Sequence, residues 1–150
     1  MNEVFPIIPA SGRVFWFLAP IASLLLGLLG LFGYITHASR NVQFQVSHEG
    51  LRIRGDIYGR MVPAVSLISA ESKQVDLRRD TSYRPTLRTN GIGLPGYRSG
   101  WFRLRNGEKA LLFLTDASRV VYIPTRNGYS LLLSVENPEL FMQSIRRISN

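Results

Sequence analysis

Any chemistry in this chain has to be done without cysteine and with two histidines, His37 and His48. The lack of Cys excludes disulfides, thiolate zinc sites and Cys nucleophiles together. His48 stands in a predicted turn and His37 at the end of a long apolar run, and no spacing ties either to a serine and an acid as a triad would need. Asp56, Asp76, Asp80 and Asp116 lack the ligand spacing of a calcium loop or a zinc site. No catalytic residue, metal ligand or cofactor is therefore assigned, and the chain reads as a non-enzyme.

The one concentration of chemistry-bearing side chains is basic. Between Arg78 and Arg105 stand Arg78, Arg79, Arg84, Arg88, Arg98, Arg103 and Arg105 against Asp80 alone, a net +6 over 28 residues. A guanidinium is a planar fork of five N–H donors, suited to phosphates and carboxylates. Backbone amides at Gly91 and Gly93 could add donors to an anion nest. The candidate anion- or surface-binding residues are thus Arg84, Arg88, Gly91, Gly93 and Arg98. They lie in Arg79–Ser99, which reads as a long irregular loop of the kind that is functional or mobile. The bland alternative is a solvated basic face, since the chain uses 16 Arg against 2 Lys throughout.

Two sharper readings of this stretch fail. Gly91, Gly93 and Gly96 fit G-x-G-x-x-G, but a dinucleotide site needs a strand before the motif and a helix after it. Here Pro95 interrupts the motif and a strand is predicted to follow. Tyr83, Tyr97 and Trp101 could stack bases beside the arginines. No nucleic-acid-binding motif accompanies them, so nucleic acid is not expected as a partner.

Positioning falls to the rest of the chain, which divides sharply. No Lys, Arg, Asp or Glu occurs between Arg13 and Arg40, while the whole carries +8. Val14–Thr36, VFWFLAPIASLLLGLLGLFGYIT, is predicted to be a transmembrane helix: its 23 residues reach about 35 Å at helical rise. Phe15, Trp16 and Phe17 at one end and Tyr34 at the other suit the headgroup belts. The run is too long for the apolar core of a cleaved signal peptide, although Thr36-His37-Ala38 resembles a weak cleavage site. The expected organisation is a tail at 1–13, the membrane helix at 14–36 and one domain at 37–150. Arg40, Arg52 and Arg54 on one flank against Arg13 on the other favour a single-pass inner-membrane protein with its domain on the cytoplasmic side. Ala19, Ser23 and Gly27 form a small-residue face on which a second helix, or a second copy of the chain, could pack.

Beyond the anchor the pattern is mostly period two. Val42, Phe44 and Val46 alternate with polar residues, as do Leu51 and Ile53, and Phe102 and Leu104. Strands are predicted near 41–47, 50–55, 58–62, 68–78, 100–105, 109–114, 119–124 and 129–133. Glu49-Gly50, Asn106-Gly107 and Asn127-Gly128 supply turns. The period then changes. Asn137 can cap a helix that starts at Pro138 and Glu139 and ends with Arg146 and Arg147. Its expected apolar face is Leu140, Phe141, Ser144, Ile145 and Ile148. The fold class is all-β, a sandwich or barrel closed by one C-terminal helix.

Arg88–Tyr97 (RTNGIGLPGY), Gly100-Trp101-Phe102, Ala110–Asp116 (ALLFLTD) and Val121–Thr125 (VYIPT) resemble the bacterial pleckstrin-homology-like (PH-like) domain family, whose members are typically small and membrane-anchored. The resemblance covers residues 41–148. It implies a sandwich of about seven strands with a capping helix, and little about activity, because the fold hosts many functions. Phosphoinositide-binding PH domains gather Lys and Arg around the first hairpin loop. Here that loop is Ser47-His48-Glu49-Gly50, without either, so the headgroup site does not carry over. The expected function is a non-catalytic interaction or scaffold domain held at the membrane, with a membrane or membrane-associated protein as partner. The alternative is a sensor or binder of a small anionic ligand through residues 79–99.

Overall fold

The computed structural model describes residues 12–149. Most of the tail expected at 1–13 lies outside the described residues. The chain divides into two compact units at the His37/Ala38 boundary.

The first unit is helical. Helix α1 runs from Arg13 to Asn41, longer at its C-terminal end than the sequence indicates, and contains Pro20. Within it Phe15–His37 is long and apolar enough to cross a membrane by length and composition, and none of its apolar window is buried by protein. Ala19, Ser23 and Gly27 are exposed, and the Ser23 hydroxyl donates back to the Ala19 carbonyl at 2.9 Å.

The second unit is a two-sheet sandwich with a closing helix. Nine strands occur among the described residues: β1 Gln43–Ser47, β2 Gly50–Arg54, β3 Met61–Pro63, β4 Lys73–Val75, β5 Pro85–Leu94, β6 Tyr97–Leu104, β7 Lys109–Leu114, β8 Val120–Pro124 and β9 Ser130–Ser134. The strand expected at 58–62 is reduced to β3, after a turn closed by the Gly59 amide on the Asp56 carbonyl, and that at 68–78 to β4, because Ser69–Glu71 winds into a 3₁₀ turn. One sheet has the order β1-β2-β3 and the other β4-β8-β9-β7-β6-β5. The Asn-Gly hairpins join β6 to β7 and β8 to β9 as antiparallel neighbours. However, β9 inserts beside β7 in parallel, from Ala110↔Ser130 to Phe113↔Leu133. The Ser134 hydroxyl fastens that junction: it accepts from the Thr115 and Asp116 amides and donates to the Asp116 carbonyl at 2.8 Å.

The large sheet is buried on both faces. Leu111, Phe113, Val121, Ile123, Leu131 and Leu133 point inward to a core shared with Leu51, Ile53 and Val62 of the small sheet. Their neighbours Ala110, Leu112, Leu114, Val120, Tyr122 and Leu132 point to a second cluster on the outer face, with Phe102, Leu104, Val75 and Leu77. Two-sided burial explains the nearly continuous apolar runs in β7 to β9.

Helix α2, Pro138–Ile148, closes the inner core. The Asn137 side chain accepts from the Leu140 amide at 3.2 Å, and Arg146 and Arg147 occupy the last turn. Ile145 is wholly buried, with Phe141, Met142 and Ile148 packed about it. Leu140, expected on this face, is 59% exposed. At 100° per residue it lies about 140° round the helix from Ile145, whereas Met142 falls on the buried stripe in its place.

Candidate functional site

The largest departure from the sequence reading is the arginine-rich stretch. Arg79–Ser99 is not an irregular loop. It holds a 3₁₀ turn at Thr81–Tyr83, all of β5 and the first residues of β6. Asx turns organise its start: the Asp76 carboxylate accepts from the Arg78 amide at 2.9 Å, and Asp80 accepts from the Ser82 amide at 3.3 Å. The Arg78 amide and guanidinium hold the Asp76 carboxyl below its usual range. Backbone bonds from Leu77 to Ala117, Arg105 to Arg84 and Asn106 to Ser82 tie the segment over the outer face of the large sheet.

The hairpin turns at Leu94-Pro95-Gly96-Tyr97. Gly96 has φ of 80°, the position after proline that a type II turn reserves for glycine. Farther down, Gly91 faces Gly100. A Cβ on Gly91 would sit 2.4 Å from the Ser99 carbonyl oxygen, so the strands close up there as only glycine permits. Two register shifts, at Pro85/Leu87 and Arg88/Asn90, add to the distortion. The hairpin is bent enough that Pro85 and Leu94, the two ends of β5, line the same clefts.

Those clefts gather the sequence-predicted arginines. One, of about 420 Å³, is lined by Arg78, Arg84 and Arg98 together with Leu77, Pro85, Leu94, Pro95, Leu114 and Asp116. The other, of about 640 Å³, shares Pro85, Leu94, Pro95 and Arg98 and adds Arg88, Gly93 and Phe102. Arg84 is fixed by its own fork: Nε donates to the Leu77 carbonyl and Nη2 to the Arg78 carbonyl, each at 2.5 Å. Gly93 lies beside Arg88: a Cβ placed there would make ordinary contact with Nη1 at 3.7 Å.

Among the described residues, no ion pair is formed by Arg84, Arg88 or Arg98; the two pairs present are Arg78–Asp76 at 3.3 Å and Arg119–Asp116 at 3.4 Å. Asp116, the carboxylate on the cleft wall, is engaged elsewhere. It accepts from the Ser118 hydroxyl at 2.6 Å and amide at 2.8 Å, which with Arg119 hold its carboxyl below the usual range.

Of the expected site members, Arg84 and Arg98 therefore line one cleft and Arg88, Gly93 and Arg98 the other, with Arg98 common to both. Gly91 lines neither cleft and acts at the bend. The anion nest expected from the Gly91 and Gly93 amides is not formed: both residues lie in an extended strand with no positive φ, whereas a nest needs a cupped backbone. Arg78 and Asp116 were not singled out by the sequence, because only the fold brings 78, 98 and 116 together. His48 lies exposed in the β1–β2 turn and His37 in α1, and among the described residues no group of three or more His, Cys, Asp or Glu is placed to hold a metal.

A sandwich of two sheets closed by a C-terminal helix has the architecture of PH domains. The profile of the bacterial PH domain family matches residues 42–149, from the first residue after α1 to the end of the described chain. The chain belongs to the bacterial PH domain family. No curated protein and no solved structure matches it. This PH domain departs from the seven strands implied by the resemblance through the three-residue β3 and β4 at the sheet margins. Its β1–β2 turn, Ser47 to Gly50, holds His48 and Glu49 and no arginine or lysine. The arginines lie instead on the bent β5–β6 hairpin.

Proposed function

We propose that this chain is a single-pass inner-membrane protein whose PH domain, 37–150, works as a non-catalytic docking module beside the bilayer. The observation that carries the reading is α1: a 23-residue stretch, Phe15–His37, long and apolar enough to span a bilayer, with none of its apolar window buried, followed after Val42 by the first strand of the domain. An exposed apolar helix of that length needs lipid for a solvent. Family membership supports the rest, since PH domains serve generally as binding modules. The anchor would confine the domain to a thin layer and raise its effective concentration toward partners there, which are membrane or membrane-associated proteins. Arg40, Arg52 and Arg54 against Arg13 support a cytoplasmic domain.

Membrane fractionation tests the anchor. Leu26→Arg places a charge near the bilayer centre and should oppose insertion by about 3 kcal/mol, moving the chain out of the membrane fraction. A parent chain that stays soluble without aggregating overturns the reading. Sidedness is accessible because the chain has no cysteine. A single Glu136→Cys, exposed beyond β9, should react with an impermeant thiol reagent only after the inner membrane is opened. Labelling of intact spheroplasts would place the domain outside. Cross-linking in membranes then identifies the docked partner, and a chain that cross-links to none argues against the docking role.

A further inference from the structure

We infer that the twin cleft of the β5–β6 hairpin is a binding site for a phosphomonoester, a dianionic phosphate carried on a small ring or acyl body. The inference does not depend on the anchor or on the docking role.

Three features carry it. First, Arg84 and Arg98 line one cleft of the bent hairpin and Arg88 and Arg98 the adjoining one, and none of the three is paired with a carboxylate among the described residues. Second, Arg84 is pre-set. Its two bonds go to the neutral carbonyls of Leu77 and Arg78, which fix the fork and leave three of its five N–H donors and its whole charge unused. A cation so held loses little side-chain freedom on meeting an anion. Third, the walls are apolar. Leu77, Leu94, Pro95 and Leu114 form one side of a 420 Å³ space. That is the size and composition of a small organic ligand site rather than of a bare-ion site.

Phosphate fits this donor set better than carboxylate. A phosphomonoester offers three acceptor oxygens and close to two charges at neutral pH, enough to engage several forks together, whereas a carboxylate satisfies one. The wall carboxylate, Asp116, does not compete, because Ser118 and Arg119 occupy it.

Phenyl phosphate is the probe, titrated into the full chain in neutral detergent and followed by calorimetry. Saturable binding is expected. Arg88→Gln and Arg98→Gln should each weaken it about tenfold, as for loss of a charged hydrogen bond. Arg126→Gln, which removes an equal charge from the exposed β8–β9 turn, should leave it within about twofold. Phenyl sulfate, with one charge, should bind about tenfold more weakly than phenyl phosphate, and phenyl phosphate binding should fade below about pH 6 as the dianion takes up a proton. Nanodiscs of phosphatidylcholine with and without phosphatidic acid tell the two sources of such a group apart. If phosphatidic acid displaces phenyl phosphate, the natural ligand is a lipid headgroup; if not, it is a soluble phosphate ester. Either result supports the site. No saturable binding in detergent, an Arg88→Gln/Arg98→Gln protein that binds like the parent, an equal loss from Arg126→Gln, or equal affinity for phenyl sulfate would each overturn it. Because Arg88 and Arg98 are exposed, these variants should melt with the parent, so a lost signal reports the site and not the fold.

Discussion

The two faces of the large sheet are equally dry and differently made. Inward, Leu111, Phe113, Val121, Ile123, Leu131 and Leu133 meet regular elements, the β1–β2–β3 sheet and the Ile145 stripe of α2. Outward, Leu112, Leu114, Val120 and Leu132 cluster with Val75, Phe102 and Leu104 of the same sheet, with Leu77 of the connection that follows β4, and with Tyr83 at the margin. Cover for this cluster comes from the connection through Leu77, held by turns and backbone bonds. The outer face carries a polar network within its cover. There Tyr122 donates to Glu108 at 2.9 Å, Ser130 donates to the same oxygen at 2.8 Å, and the Lys73 ammonium lies 4.5 Å from the Tyr83 ring centroid. The difference separates scaffold from site: repeated apolar packing fixes the inner face, while the irregular cover of the outer face can bend away and leave the arginine clefts.

The largest expected effect lies on the inner face. Ile145→Ala removes a side chain with no exposure at the point where α2 meets both sheets. It should cost about 4 kcal/mol, in the upper part of the range for buried aliphatic truncations, because regular elements on all sides cannot collapse into the gap. Urea unfolding of the full chain in detergent, read by tryptophan fluorescence, measures it. A cost below about 1 kcal/mol would mean that α2 does not hold the fold. Leu140→Ala, on the exposed side of the same helix, should stay within about 0.5 kcal/mol and serves as its control.

Leu77→Ala asks the same of the outer face. Leu77 is 4% exposed, but it sits on a turn-rich connection rather than in a strand. That cover can settle inward, so the expected loss is smaller, about 2–3 kcal/mol. A loss equal to that of Ile145→Ala would erase the contrast between the two faces. A companion effect is expected at the cleft, whose wall includes Leu77.

What the sequence exposed follows the same division. The inner face was legible because burial on one side prints a period: Leu51 and Ile53 and the α2 stripe were read, with Leu140 misplaced, while on the outer face Phe102 and Leu104 printed the same period. The β6–β7 and β8–β9 hairpins were announced by Asn-Gly. The parallel β7–β9 pairing was not, since local turn signals say nothing about a strand inserted between two others. β5 was missed for a physical reason. It is an edge strand, exposed on both faces from Thr86 to Asn90 and interrupted by two register shifts, so no burial pattern is impressed on PTLRTNGIGL. Its one local signal was Pro95-Gly96, the hairpin turn. Arg84, Arg88 and Arg98 were visible as charges. Their placement in adjoining clefts depends on a bend made by Gly91 and Gly100 from different strands, which sequence spacing alone does not reveal.

The smallest expected effect tests how dry the outer face is. Tyr122 is 8% exposed. Burial, with Glu108 beside its hydroxyl, pushes the phenol up to about 12, and the hydrogen bond from Ser130 opposes this only in part. In the unfolded chain the same phenol titrates near pH 10. Below pH 10 it is neutral in both states, so its contribution to stability is fully present there. Between pH 10 and about 12 the unfolded state releases the proton and the folded state retains it. Stability must therefore fall as pH rises through that window, by up to about 1.4 kcal/mol per unit from this group. Tyr122→Phe keeps the ring and removes the titration. At pH 8 it should cost about 1 kcal/mol, the worth of the hydrogen bond to Glu108. By pH 11 the parent has lost about that much again through Tyr122, so the two unfolding free energies should come close together. The other tyrosines titrate in both proteins and cancel. A gap that stays constant from pH 8 to pH 11 would mean that water reaches the phenol, and that the cover of the outer face is as open as the clefts at its end.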